Sequence, residues 1–156
     1  MHKEHHYNAR VTWTGNRGEG TAHYKGYDRS HNISINNKPD IQGSSDTPFL
    51  GDPTRHNPED LLLASLSACH MLWYLHLCAD NGIIVTDYHD EATGTMLQTE
   101  QGGHFTQVIL HPQVTITDSN KISLAIQLHD AAHKNCFIAN SCNFPVTHEP
   151  VCMMKE

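Results

Sequence analysis

Asn57-Pro58-Glu59-Asp60-Leu61-Leu62-Leu63-Ala64-Ser65-Leu66-Ser67-Ala68-Cys69-His70-Met71-Leu72-Trp73-Tyr74-Leu75-His76-Leu77-Cys78-Ala79-Asp80 is the stretch around which the rest of the chain must be arranged. Asn57 is a good N-cap and Pro58 suits the first helical position. Asp60 stands three residues after the cap, in a capping-box place, and Glu59 favours the positive end of a helix. Asn81-Gly82 supplies the stop. The interior is apolar on nearly every side, which places a helix in a core or in a bilayer. Its flanks are acidic (Glu59, Asp60, Asp80) rather than Lys or Arg, and its interior holds His70 and His76. Those features favour a central buried helix over residues 57–81 rather than a membrane span.

Outward from that helix the pattern is β. Toward the N-terminus, residues 7–14, 19–25 and 31–36 read as short strands, with Gly15-Asn16-Arg17-Gly18 as a turn. Residues 37–56 carry Pro39, Gly43, Pro48, Gly51 and Pro53 and read as one long loop. Toward the C-terminus, 83–98 and 104–117 read as a long hairpin about Glu100-Gln101-Gly102-Gly103, with Val108, Leu110, Val114 and Ile116 on one parity. Asp118-Ser119-Asn120 caps a second helix reaching about His133, residues 134–143 are irregular or a short helix, and Phe144 to Met153 reads as a last strand. This order is α+β, in a single domain over 1–156: an N-terminal β region and loop (1–56), the central helix (57–81) and a C-terminal hairpin, helix and strand (83–156).

The chain of 156 residues is 38% hydrophobic. Counting glycine brings this to about 45%, which excludes collagen-like, low-complexity and disordered classes. A formal charge of −7, with no run of Lys or Arg, argues against a nucleic-acid partner. The polar N-terminus lacks a secretory pattern, so a cytoplasmic, reducing location is expected, with no membrane partner. Five cysteines, an odd number without a CxxC pair, make a structural disulfide framework a poor reading.

Cys69 lies inside this buried helix, where a cysteine is ordinarily inert packing. Cys78, nine residues on, falls on the opposite face of the helix and reads as packing. A reactive Cys69 needs its thiolate stabilised. The helix dipole fades within the first turn, whereas Cys69 lies twelve residues past the cap, so a cation must come from elsewhere. Arg17 and Arg55 are the candidates, and Glu59 is a carboxylate available to partner a buried guanidinium. Two other readings compete. His129 and His133, one helical turn apart, could hold zinc with Cys136, or with Cys69 or Cys142. Alternatively, the protein is a non-catalytic, stress-related binding protein with structural cysteines. A serine hydrolase is disfavoured, since no G-x-S-x-G elbow occurs.

The run from Asn57-Pro58-Glu59 to Ala68-Cys69 resembles the NPE-x-L…A-C signature of the OsmC/Ohr family, thiol-dependent peroxidases of bacteria. Ala132-His133-Lys134-Asn135-Cys136 resembles that family's second cysteine motif, and the element order matches over nearly the whole chain. The resemblance implies an OsmC-like fold, with β-sheets wrapped around the long helix in an intertwined homodimer. It further implies Cys69 as peroxidatic cysteine, Cys136 as resolving cysteine, Arg17 as the activating guanidinium and Glu59 as the group holding it. The substrate would be an organic hydroperoxide, the reductant an external lipoyl-type dithiol or small thiol, and neither a cofactor nor a metal is expected. Phe137 stands where the family often has proline. The differing loop 37–56 leaves Arg55 to replace or assist Arg17, and Cys142 is a second candidate resolving thiol. Helix geometry adds an expectation. Glu59 and Cys69 are separated by about 15 Å along one axis, so two antiparallel copies crossing near Ala64 would bring Glu59 of one beside Cys69 of the other.

Overall fold

The computed structural model describes residues 2–155, in two compact units, Met1–Leu61 and Leu62–Glu156. In the first, β1 (Arg10–Trp13), β2 (His31–Ser34) and β3 (Ile41–Gly43) form an antiparallel sheet in that order. Val11 pairs with Ile33 and Ile33 with Ile41, so the alternation visible in the sequence sets the register.

Two expectations for this unit are corrected. Residues 19–25 form turns rather than a strand. Gly18 and Gly20 have φ of +118° and +57°, and the Asn16 side-chain oxygen accepts from both of their N–H groups at 2.8 and 2.9 Å. Those donors are satisfied locally and are not offered to a ladder. Residues 37–56 are not structureless. They contain β3 and a 3-10 turn at Thr47–Phe49, whose first N–H donates to the Asp46 carboxylate at 2.7 Å. Ile41-Gln42-Gly43 is too short to announce itself, and pairing with β2 makes it a strand.

The helix α1 (Pro58–Asp80) matches its sequence signals closely. The Asp60 N–H donates to the Asn57 side chain at 2.8 Å and the Asn57 N–H to the Asp60 carboxylate at 3.3 Å, a reciprocal capping box. At the other end Gly82 takes φ +63°, Ile83 N–H returns to the Cys78 carbonyl at 2.8 Å, and the Lys121 ammonium donates to the Gly82 carbonyl at 2.6 Å. Burial on all sides is corrected to burial along one stripe. Leu66, His70, Tyr74 and Cys78 are buried, whereas Ala64, Ala68, Leu72 and His76 are exposed, Leu72 at 63%. By length and composition α1 could cross a membrane, and here its buried stripe builds a protein core.

In the second unit each arm of the expected long hairpin is broken in two. The first arm becomes β4 (Val85–Asp90) and β5 (Thr93–Thr99), the second β6 (Gly102–Leu110) and β7 (Pro112–Ile116). The expected last strand likewise splits at Pro150 into β8 (Val146–His148) and β9 (Val151–Met154). The halves join different sheets, ordered β4-β7-β9 and β5-β6-β8, with β8 and β9 added in parallel. Prolines 112 and 150 remove ladder donors at the breaks. Asp90 fastens one corner, accepting from the Ser67 hydroxyl of α1 at 2.5 Å and the His111 N–H at 2.6 Å. After a 3-10 turn at Ser119–Lys121 capped by Asp118, α2 runs over Ile122–Asn135.

Val108, Leu110, Val114 and Ile116 are all buried, as their shared parity requires. They divide between two apolar clusters. Leu66 joins Val108, Leu110 and Val146 in one, while Tyr74 and Cys78 join Ile83, Val114, Ile116, Ala125, Leu128 and Ala132 in the other. His70 lies on the α1 stripe between these two sets.

Candidate active site at a pair of thiols

Cys69 is half-buried on α1, one position before the buried His70. Cys136 is the buried residue that ends α2, its N–H donating to the His133 carbonyl at 3.2 Å. The two side chains are close neighbours, near enough for each to act on the other's charge. Burial, first, and the neighbouring Cys69 push the Cys136 thiol up to about 11, against a backbone N–H from Ala139 whose nitrogen is 3.5 Å from its sulfur. At neutral pH the proton therefore stays on Cys136. All five cysteines are free.

The remaining thiols are otherwise engaged. Cys142, the alternative second cysteine, donates to the Ile138 carbonyl at 3.3 Å and packs against the Leu66 cluster. Cys78 packs in the Tyr74 cluster, with Cys152 against it. Near both thiols along the chain lies an aromatic pair. Trp73, one turn after Cys69, meets Phe137 edge-on at 5.5 Å between ring centroids. Elsewhere, Phe105 packs on Phe144 at 5.6 Å between ring centroids, and Phe49 belongs to the first unit.

Within the first unit the arginines differ. Arg17 is exposed and bonded to both oxygens of Asp28, whose carboxyl it holds below the usual range, and it also donates to the Lys25 carbonyl at 3.4 Å. Arg55 is only 24% exposed and makes one ion pair, Nε to Asp52 at 3.6 Å, while its Nη1 is buried without a partner. Among the described residues no ion pair joins Glu59 to either arginine.

The zinc alternative is corrected by geometry. His129 Nδ1 is taken by His70 Nε2 at 2.9 Å, and His133 lies against His148 at 5.7 Å between centroids. Among the described residues no group of three His, Cys, Asp or Glu is placed to hold a metal. That His70 and His129 meet was not foreseen. The signal was present, since His70 falls on the four-residue spacing of Leu66, Tyr74 and Cys78. A cleft in the first unit, lined by Asn8, Arg10, Thr12, Ser34 and Asn36, holds no thiol.

Comparison with known proteins bears on this arrangement. A family model described as OsmC-like protein matches residues 51–150. An OsmC-like protein of unknown function from Vibrio cholerae is 30% identical, with a TM-score of 0.84 over 95% of this chain and 100% of its own. An organic hydroperoxide resistance protein from Elizabethkingia anophelis is 19% identical, with a TM-score of 0.69 over the whole of both chains. The organic hydroperoxide resistance protein OhrB of Bacillus subtilis is 20% identical, with a TM-score of 0.59 over 93% of this chain and 98% of its own. Among curated proteins none matches the sequence significantly.

Proposed function

Because this chain belongs to the OsmC-like family, we propose that it is a cysteine-based peroxidase that reduces organic hydroperoxides to alcohols. The observation that carries the proposal is the proximity of Cys69 and Cys136, two free thiols brought together from positions 67 residues apart. The Cys69 thiolate attacks the terminal oxygen of R–O–OH. A sulfur–oxygen bond forms, the oxygen–oxygen bond breaks, and the departing alkoxide takes a proton to become the alcohol. Cys69 is left as a sulfenic acid. The Cys136 sulfur then attacks the Cys69 sulfur, the disulfide forms, and hydroxide leaves with the Cys136 proton as water. An external lipoyl-type dithiol or small thiol returns both cysteines to thiols and is itself oxidised.

Negative charge moves from sulfur to oxygen in the first step, and a guanidinium with free donors stabilises both ends. Arg55, with its unpartnered Nη1, suits that role better than Arg17, whose donors are taken by Asp28. Glu59 would steady the arginine within a homodimer. Trp73 and Phe137 favour an organic substrate over hydrogen peroxide by offering apolar surface. Reduced thiols at rest suit the cytoplasm.

The test is a titration of reduced wild type, Cys69→Ser and Cys136→Ser with cumene hydroperoxide, followed by thiol counting and dimedone trapping. Wild type should lose two thiols per peroxide. Cys136→Ser should consume one equivalent and yield a trapped Cys69 sulfenic acid, and Cys69→Ser should be inert. Equal peroxide consumption by Cys69→Ser and wild type would overturn the proposal. An intramolecular disulfide in Cys136→Ser would transfer the second role to Cys142.

A further inference from the structure

Four histidines from three elements of the second unit converge: His70 of α1, His129 and His133 of α2, and His148 of β8. Ring centroids are 5.2 Å apart for His70 and His129, 5.4 Å for His70 and His148, 5.7 Å for His133 and His148, and 6.1 Å for His129 and His148. His70 and His129 are buried, at 1% and 0% exposure. Their rings lie within 10° of parallel, and Nε2 of one is 2.9 Å from Nδ1 of the other. Parallel rings alone suggest a face-to-face stack, but the short nitrogen–nitrogen distance decides otherwise. The centroid separation is that of two rings joined end to end through those nitrogens, so the contact is an in-plane hydrogen bond carrying one proton.

Two neutral rings make this bond, and two charged ones cannot, since both facing nitrogens would then bear hydrogen. Burial, with the nearby imidazoles of His148 and His133, holds His70 down to about 4, and burial, with His70 and His148 and against Asp130, holds His129 down to about 3, so the pair is neutral and bonded at neutral pH. The other polar groups around it are engaged or uncharged. Asp130 pairs with His148 at 3.0 Å, Tyr74 lies flat on His129 at 3.8 Å, and the Tyr88 ring is 5.9 Å from Tyr74.

The location matters more than the pairing. His70 is the residue after Cys69 on α1, and His129 is two helical turns before Cys136 on α2. Elsewhere the two helices contribute to one apolar cluster, Tyr74 and Cys78 from α1 and Ala125, Leu128 and Ala132 from α2. Apolar packing is non-directional and tolerates sliding, whereas a buried hydrogen bond between rings fixes both translation and rotation.

We propose that His70 and His129 are positioning residues for the disulfide step: their hydrogen bond pins α2 against α1 and so holds the Cys136 thiol at Cys69. The inference rests on the peroxidase reading for its chemistry, but the pin itself requires only the two thiols. Replacing His129 by Leu removes the bond and keeps bulk. His129→Asn puts an amide in place of Nδ1, and His70→Gln puts one in place of Nε2, so both can remake the bond.

The experiment measures two rates at pH 7.5 after one equivalent of cumene hydroperoxide: Cys69 sulfenic acid by dimedone trapping, and the Cys69–Cys136 disulfide by mass spectrometry. His129→Leu is expected to form sulfenic acid as fast as wild type but disulfide about tenfold more slowly, the scale of losing one buried hydrogen bond. His129→Asn and His70→Gln are expected to recover most of that loss. Equal disulfide rates in His129→Leu and wild type overturn the pin, and so does an equal slowing of His129→Leu and His129→Asn, which would signify packing alone. A parallel arm drives the disulfide directly with diamide, which takes the two hydrogens of the dithiol without peroxide. If wild-type Cys69 ignores the peroxide, the peroxidase reading falls, and the diamide rates still decide the pin. If His129→Leu does not fold, His70→Gln against His70→Leu carries the same comparison.

Discussion

At the scale of single residues, the protein concentrates unusual protonation in its second unit. Burial keeps the proton on Cys136 beside Cys69. His70 and His129 stay neutral in a place where protonation is costly. Their folded values lie below that of a free histidine, so the unfolded chain takes protons first as pH falls. Their cost to stability is absent above the unfolded value near 6.5 and accumulates as pH drops from there toward about 4 and about 3. Between pH 7 and pH 5 each should lower folding stability by about 2 kcal/mol. Urea denaturation at both pH values should show that loss in wild type and a visibly smaller one in His70→Gln, which cannot titrate at that position. The same pH dependence in both proteins would mean that the His70 ring is not buried neutral. The pair was hidden in the sequence for a physical reason. Each ring lies on an apolar stripe that marks its own helix, but nothing local says that the two stripes face each other.

At the scale of elements, local chemistry was legible and non-local chemistry was not. The reciprocal bonds of Asn57 and Asp60 and the left-handed Gly82 follow from residues within a few positions, so the limits of α1 were readable to within a residue. The parity of Val108, Leu110, Val114 and Ile116 was readable because a strand alternates whatever its partner. The division of the hairpin arms between two sheets was not, because a strand's sheet is chosen by partners elsewhere, β8 and β9, that arrive after α2. The residues of the thiol pair were marked by their motifs, and only the packing of α2 on α1 brings Cys136 to Cys69. Two substitutions weigh these local and packing contributions. Asn57→Ala removes one cap and should cost about 1 kcal/mol. Leu66→Ala opens a hole at the centre of the Val108–Leu110–Val146 cluster and should cost about 3 kcal/mol. Urea midpoints at one fixed protein concentration measure both. A smaller loss for Leu66→Ala than for Asn57→Ala would contradict the assignment of Leu66 to a packed core.

At the scale of the whole molecule, the apolar interior is unevenly shared. Both hydrophobic clusters lie in the unit Leu62–Glu156, and among the described residues every buried hydrophobic side chain does too. The unit Met1–Leu61 has a three-stranded sheet whose first strand is exposed along its length, and it leaves Val11, Trp13, Tyr24 and Leu50 in water. A unit of that size cannot offset its conformational entropy without burying apolar surface. The line Ala64, Ala68, Leu72 and His76 on α1 is exposed as well, small at one end and apolar through Leu72. Two copies meeting along that line, crossing near Ala64, would bury it and give the first unit a surface to fold against. Sedimentation equilibrium at micromolar concentration should then return twice the chain mass of 17.5 kDa. Leu72→Arg, which places a charge on the line, should return the single-chain mass. In that monomer limited proteolysis should cut the first unit early while the second, with both clusters, persists. A wild-type mass of one chain, or a monomeric Leu72→Arg whose first unit resists protease as well as wild type, would remove the second copy as the source of its stability.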